Sequence, residues 1–210
     1  MLKGGIVLVD PTTSAVLRVI PLQYNPETVS RTLQVQGVGA ESGPHVDQLR
    51  LKGPPIETIK LEAEIDATDM LADPQANPTV TQSGITPMLA TLELIIYPTS
   101  QQLTTADANA QNGTLEIIPM DAPLTLFVWS KARIVPVRFT EFSITEEMFD
   151  SSLNPIRAKV SLGMRVLTID DLPFSSTGGS IYMAYQQQKE RLAQTAVGGR
   201  LSALGIGSIP

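Results

Sequence analysis

Cysteine is absent from this 210-residue chain. Its absence excludes disulfides, thiolate metal sites and cysteine nucleophiles. Histidine occurs once, at His45, which removes His-cluster metal chemistry and most His-based catalysis. Aromatic residues make up 5% of the chain and do not cluster, so no aromatic-lined concave site is in prospect. No apolar run approaches the roughly 20 residues that a membrane-spanning helix needs. Charged residues, at 17%, fall below the usual level of about 25%. A surface so poor in charge suits a protein covered by partners, although an ordinary monomer is also compatible with it. The net charge is -6, opposite to the basic stripe of a general nucleic-acid binder. It also disfavours adhesion to an anionic membrane. The first apolar run is stopped at once by Asp10-Pro11, so it does not read as a signal peptide. The expectation is a protein folded in the cytoplasm, without cofactor or metal.

What is present is period-2 alternation. In residues 56–67, Ile59, Leu61, Ala63, Ile65 and Ala67 alternate with Lys60, Glu62, Glu64 and Asp66. Such alternation predicts a strand with one dry and one wet face. In residues 155–167, Ile156, Ala158, Val160, Leu162, Met164 and Val166 share one face, and Arg157, Lys159, Ser161, Gly163 and Arg165 the other. Upstream, Val135, Val137 and Phe139 are in one phase and Phe142 and Ile144 in the opposite phase, which predicts a β-bulge near Thr140-Glu141. Residues 150–155 read as the turn of a long antiparallel hairpin. Further strands are expected over 5–9, 15–22, 29–36, 115–118 and 124–129, with a turn at 10–14. The acidic row Glu62, Glu64 and Asp66 could pair with the basic row Arg157, Lys159 and Arg165, within one subunit or between two.

One internal helix stands out. Thr86 suits an N-cap and Pro87 the first helical position. Met88, Leu89, Leu92, Ile95 and Ile96 follow at helical spacing, and Pro98 ends the segment. Residues 37–55, 69–84 and 99–113 read as loops. The expected division is a β domain over 1–173 and a C-terminal region over 174–210. Within the latter, 175–179 reads as a flexible linker. Ser180 caps a helix to about Val197, stopped by Gly198-Gly199. The tail carries Leu201, Leu204, Ile206 and Ile209, unusually aliphatic for a solvated segment, and is a candidate partner-docking element.

Catalytic constellations are weak. His45 with Asp47 lacks a nucleophile motif and reads as a solvated loop residue. Asp66, Asp69 and Asp73 do not match an EF-hand spacing. The neighbours Glu146-Glu147 and Asp170-Asp171 would face opposite ways on a strand and read as solvated charges. Asn112-Gly113-Thr114 matters only in a secreted chain. Trp129 reads as a core or interface anchor.

Taken in order, several pieces carry a resemblance. Leu22-Gln23-Tyr24-Asn25-Pro26-Glu27 lies between two strands, and Gly53-Pro54-Pro55-Ile56 opens the alternating strand. Ile96-Tyr97-Pro98 ends the helix, the strand from Pro123 to Trp129 follows, and Asn154-Pro155-Ile156-Arg157-Ala158 forms the turn of the long hairpin. This order resembles tube-type proteins of contractile injection systems. More narrowly, it is similar to the adaptor, or tube initiator, that joins inner tube to baseplate hub and spike in phage-tail-like particles. The resemblance implies a mainly β fold, an antiparallel β-barrel or split barrel of tail-tube type with a packed helix. It also implies a homo-oligomeric six-fold ring around a lumen. Its implied partners are the inner tube protein, the hub or spike protein, and baseplate and sheath proteins. Composition, charge and the weak catalytic constellations add the expectation of no enzymatic activity, no nucleic acid and no membrane insertion. Some members of that class carry a C-terminal peptidoglycan-binding module. Residues 174–210 read instead as helix and tail, so cell-wall binding is not carried over. The candidate lumen or interface residues are Lys60, Glu62, Glu64, Asp66, Arg157, Lys159 and Arg165. Two other classes remain open. One is a carbohydrate- or peptide-binding β module outside any injection machine; the other is an enzyme working through carboxylates alone.

Overall fold

Alternation that runs unbroken for eleven residues builds the central strand β4 (Ile56–Asp66), and its neighbours follow from the same rule. The computed structural model describes residues 2–37, 50–111 and 122–209. The expected strand at 115–118, His45, Asp47 and Asn112-Gly113-Thr114 lie outside them. The strands are β1 (Gly5–Val9), β2 (Val16–Pro21), β3 (Val29–Gln34), β4, β5 (Leu124–Ser130), β6 (Arg133–Phe149) and β7 (Pro155–Val166). They form one seven-stranded sheet in the order β2-β1-β5-β6-β7-β4-β3. Every pairing is antiparallel. The mainly β, antiparallel expectation therefore holds. The sheet does not close, because β2 and β3 are its two edges.

The long hairpin forms as its sequence requires. β6 and β7 pair from Val137↔Val166 to Phe149↔Pro155, with the register shifting between Phe139 and Glu141. Thr140 is the extra residue, and the bulge places Phe139, Phe142 and Ile144 together against one core. Gly163 makes the bulge possible, since a Cβ there would stand 2.8 Å from the Cβ of Glu141. At the tip, the Asp150 carboxylate accepts hydrogen bonds from the Ser152 and Asn154 amides at 2.7 and 2.8 Å.

Inward-facing residues of β1, β4, β5, β6 and β7 share one dry cluster, including Ile6, Ile59, Phe127, Val135, Val160 and Met164. Each such side chain contributes about 1.5–3 kcal/mol by leaving water. Four short helices follow β4 and complete the middle of the chain. They are α1 (Thr68–Leu71), α2 (Pro78–Ser83), α3 (Thr86–Glu93) and α4 (Ser100–Gln111). Helix α3 is the expected internal helix. Leu89 and Leu92 are buried on it, and Ile85, its N-cap residue, is buried too. Thr86 is the first helical residue rather than the cap.

Two of the expected loops prove partly helical. Helix α4 occupies most of 99–113 because Thr99 and Gln102 cap it reciprocally. The Gln102 amide donates to Thr99 Oγ1 at 3.2 Å, and the Thr99 amide to Gln102 Oε1 at 2.9 Å. Helices α1 and α2 replace much of 69–84. Gly84 then adopts φ 56° and ψ -140°, a region open essentially to glycine, while its neighbour Ile85 donates to the Pro155 carbonyl at 2.9 Å. That bond latches the α2–α3 junction to the hairpin tip.

The C-terminal helix α5 (Thr177–Thr195) starts earlier than its sequence suggested. Ser176, not Ser180, is the cap, and its Oγ accepts from the Gly179 amide at 3.1 Å. Gly178 and Gly179 are buried helical residues, not linker. A Cβ on Gly179 would come within 2.2 Å of the Pro173 carbonyl oxygen, so these glycines allow close approach rather than flexibility.

Two predictions follow from these contacts. Gly84→Ala forces a strained φ and a Cβ 2.2 Å from the Pro155 oxygen. It should lower stability by about 2–3 kcal/mol and Tm by ~5–10 °C, read by calorimetry; an unchanged Tm would refute the latch. The second concerns acid. Hydrogen bonds from the Thr13 and Thr12 amides lower the Asp10 pKa, the Thr68 hydroxyl first among several donors lowers Asp66, and the Asn154 side chain and amide lower Asp150. Each group's folded pKa lies below its unfolded value of roughly 3.9. The stability they supply is thus complete above that value and is lost as pH falls through the folded values. Tm should be flat near neutrality and drop below about pH 4, and the D10N/D66N/D150N variant should show a shallower drop. An equal drop in both proteins would exclude these turns as its source.

Candidate functional site

The outward face of β4, β7 and β6 carries the charges singled out in the sequence, and strand register decides which of them meet. Glu64 lies opposite Lys159, Asp66 opposite Arg157, and Lys60 opposite Gly163. On the other side of β7, Arg157 lies opposite Glu147, Lys159 opposite Thr145 and Arg165 opposite Arg138. The expected pairing of acidic and basic rows is therefore realised within one chain, but only in part. Arg157 donates to Asp66 from Nε at 2.8 Å and stands 3.6 Å from Glu64. Lys159 turns instead to Glu147 on β6, at 3.3 Å. Lys60 reaches across the side-chain-free Gly163 to Glu141, at 2.7 Å. Arg165 leaves the ladder and donates to both carboxylate oxygens of Asp171, at 2.9 and 3.1 Å. Glu62 faces Ser161 and is exposed.

The result is a broad, water-facing wall of interleaved opposite charges. Lys60, Glu62, Glu64 and Lys159 are exposed, while Asp66, Arg157 and Arg165 are half-buried. Exposed pairs of this kind are worth roughly 0–1 kcal/mol each, so the wall does not hold the fold together. Two pairs read as merely solvated behave otherwise. Glu147 binds Lys159, and Asp171 binds Arg165 while accepting from the Thr168 amide at 3.0 Å. Among the described residues, no group of three or more Asp, Glu or His side chains is placed to hold a metal. Asp69 lies in α1, and Asp73 accepts from the Ala76 amide as a turn residue.

The sheet's edges have a different character. On β2, Val16, Leu17 and Val19 are 61%, 57% and 60% exposed. On the opposite edge, Leu33 and the following Val35 are exposed as well. The hairpin tip adds exposed Met148, Phe149 and Leu153. In the tail, Leu201, Leu204, Ile206 and Ile209 are all exposed, with Leu201–Leu204 forming a 3-10 turn. Trp129 stacks on Phe127 with ring centroids 5.9 Å apart and covers Gly4, so it serves the core as anticipated.

Two arrangements went unread in the sequence. Gln23 and Asn25 act as staples where the chain crosses from β2 to β3. Gln23 Nε2 donates to the Asp66 carbonyl at 2.6 Å, and the Asp66 amide donates back to Gln23 Oε1 at 3.0 Å. Asn25 binds the Gly4 amide and the Leu2 carbonyl. The β2 edge is thus tied to the end of β4 by a side chain rather than by a strand pair. The second is Glu57, which shares the dry phase of β4 with Ile59 and is 3% exposed. Arg31 of β3 donates to it from Nε at 2.7 Å, and from Nη2 to the Tyr185 hydroxyl of α5 at 3.2 Å. Lys189 lies 4.4 Å above the Tyr185 ring. The hydrogen bond to Glu57 raises the Arg31 pKa, and burial pushes the Tyr185 phenol up and the Lys189 ammonium down. A charged residue in the dry phase was the signal that a counter-ion had to be present.

The fold and its surfaces define an open antiparallel sheet with a charged face and apolar edges. No family model and no curated protein matches the chain. Among solved structures it is similar to a chain described as the tail of an empty GTA particle, from helical refinement with C6 symmetry. The TM-score is 0.30 and the identity 13%, over 78% of this chain and 90% of that one. A likeness at that level carries no functional argument.

Glu57→Gln should destabilise the protein by about 2–3 kcal/mol, less than for a wholly buried pair because Arg31 keeps some contact with water. Arg31→Met with Glu57→Leu should recover at least half of that loss in chemical denaturation. A double variant no more stable than the single one would show that packing, not charge pairing, governs the junction.

Proposed function

We propose that this chain is a non-enzymatic structural subunit of a phage-tail-like contractile injection particle. In this reading it forms a homo-oligomeric ring, six-fold as the resemblance implies, that joins the inner tube to the baseplate hub and spike. The observation that carries the reading is the contrast between edges and face. A sheet with two open edges lined by exposed Val16, Leu17, Val19, Leu33 and Val35 invites pairing with further chains. Identical subunits related by rotation can satisfy both edges at once, since each supplies what its neighbour lacks. The charged face between those edges, built from Lys60, Glu62, Glu64, Asp66, Arg157 and Lys159, then becomes a hydrated wall suited to a lumen.

The order of the Gln23-Tyr24-Asn25 segment, the alternating strand and the long bulged hairpin supports the same reading. A conduit of this kind works through backbone hydrogen bonds and packing. It needs no perturbed acid or base, and catalysis has no part in the proposed role. The inner tube protein and the hub or spike protein are the proposed partners, with baseplate and sheath proteins around them. No helix of the described residues is long and apolar enough to cross a membrane.

The test combines imaging with charge reversal. Negative-stain micrographs of the protein mixed with its candidate tube partner should show rings or capped tubes. The K60E/E62K/E64K variant should keep its Tm within about 5 °C, since exposed ion pairs contribute little. It should lose ring assembly or cargo passage. A variant that assembles and passes cargo like the unmodified chain would remove these residues from the wall, and a protein that stays monomeric beside every tube partner would end the reading.

A further inference from the structure

An apolar groove of about 400 Å3 opens between the edge strand β2, the second half of β4 and α3. It is lined by Val19, Ile20, Ile65, Met88 and Leu92, and Glu64 supplies its one charge. Its size falls within the roughly 300–1,000 Å3 of sites that take a ligand or a peptide segment. Glu64 retains acceptor capacity. Its cation neighbour Arg157 stands at 3.6 Å and gives its hydrogen bonds to Asp66.

The same chain carries a segment of matching character that is exposed. Residues 190–209 are exposed throughout. A Cβ built on Gly198, Gly199 or Gly207 would find no atom within 4 Å. Leu201, Leu204, Ile206 and Ile209 are aliphatic, and Arg200 is the single charged side chain after Arg191. The match is therefore of two kinds: aliphatic side chains against an aliphatic groove, and one cation against one anion at its rim.

The exposure of the tail, which does not line the groove of its own chain, favours a neighbour's groove. Tyr185 is bound to Arg31 beside Glu57, at the start of β4. The groove begins at Ala63, six residues further along that strand, or about 20 Å at ~3.3 Å per residue. The anchored half of α5 thus stands away from the groove, and the tail beyond it is exposed rather than seated there. We infer that residues 200–209 of one copy seat in the β2–β4–α3 groove of the next, with Arg200 against Glu64, so that each subunit in the assembly both donates and receives a tail. This rests on the multi-copy assembly proposed above and names one of its contacts.

The absence of native cysteine makes the test direct. Met88→Cys and Leu204→Cys are made separately in the full chain, mixed, oxidised mildly and run on a non-reducing gel. A third protein carries both substitutions. The same samples are sedimented to read their assembly state. The expected result is a covalent dimer in the mixture, absent from either variant alone and abolished by reduction. Oligomers in sedimentation without a cross-link in the mixture would overturn the tail contact and leave the assembly reading standing. A cross-link confined within single chains of the double variant would overturn it in favour of docking in cis. Monomers without any cross-link would bring down both.

Discussion

β7 lies between β4 and β6, and the two faces of that three-stranded ribbon cannot be exchanged. Ala158, Val160, Leu162, Met164 and Val166 are all buried on one face. A slip of one residue would drive Arg157, Lys159 and Arg165 into the core and expose the aliphatic row. The penalty for burying three unpaired cations far exceeds the strength of any ion pair on the wet face. Register is therefore set by the dry side, and the charged wall is a consequence of it. The bulge at Thr140 lets a seventeen-residue strand keep this arrangement while changing phase. Gly163 is the residue that tolerates the bulge, and the same missing side chain lets Lys60 span to Glu141.

A sheet curled around one core but left unclosed must deal with the gap between its ends. Here the gap is bridged by Gln23 on the backbone of Asp66 and filled in part by α3. Two backbone bonds from one amide replace a strand pairing. Among the described residues no strand pairs with the outer side of β2 or β3, and their exposed aliphatic residues are those a solitary protein would suppress. The C-terminal helix is held differently, through Tyr185 on a buried ion pair between β3 and β4. Its first half belongs to the core, and residues 190–209 are exposed.

Much of this was legible in the residues. Strict alternation placed β4 and β7 to within a residue at either end, and the phase change at Thr140 located the bulge. The turn at Asp150 and the helix after Thr86 followed from local chemistry. What escaped had a common cause. Helix α4 buries nothing, so it has no apolar period to detect; only the Thr99–Gln102 capping box marks it. Gly178 and Gly179 looked like linker because glycine's role in close packing has no signature along the chain. The Arg31–Glu57–Tyr185 junction joins residues separated by up to 154 positions, and nothing local announces it. Of the proposed wall, the residues were legible but their partners were not. Lys159 and Lys60 choose acids on β6 that simple row-to-row pairing does not single out.

The central claim is that the open edges are interfaces. Hydrogen–deuterium exchange compares the backbone amides of β2 and β3 in the isolated chain and in the chain mixed with its candidate tube partner. The account predicts fast exchange at the outward-facing amides of Val16–Pro21 and Val29–Gln34 in isolation, and strong protection in the proposed ring. Equal exchange at both edges in the two states would contradict it.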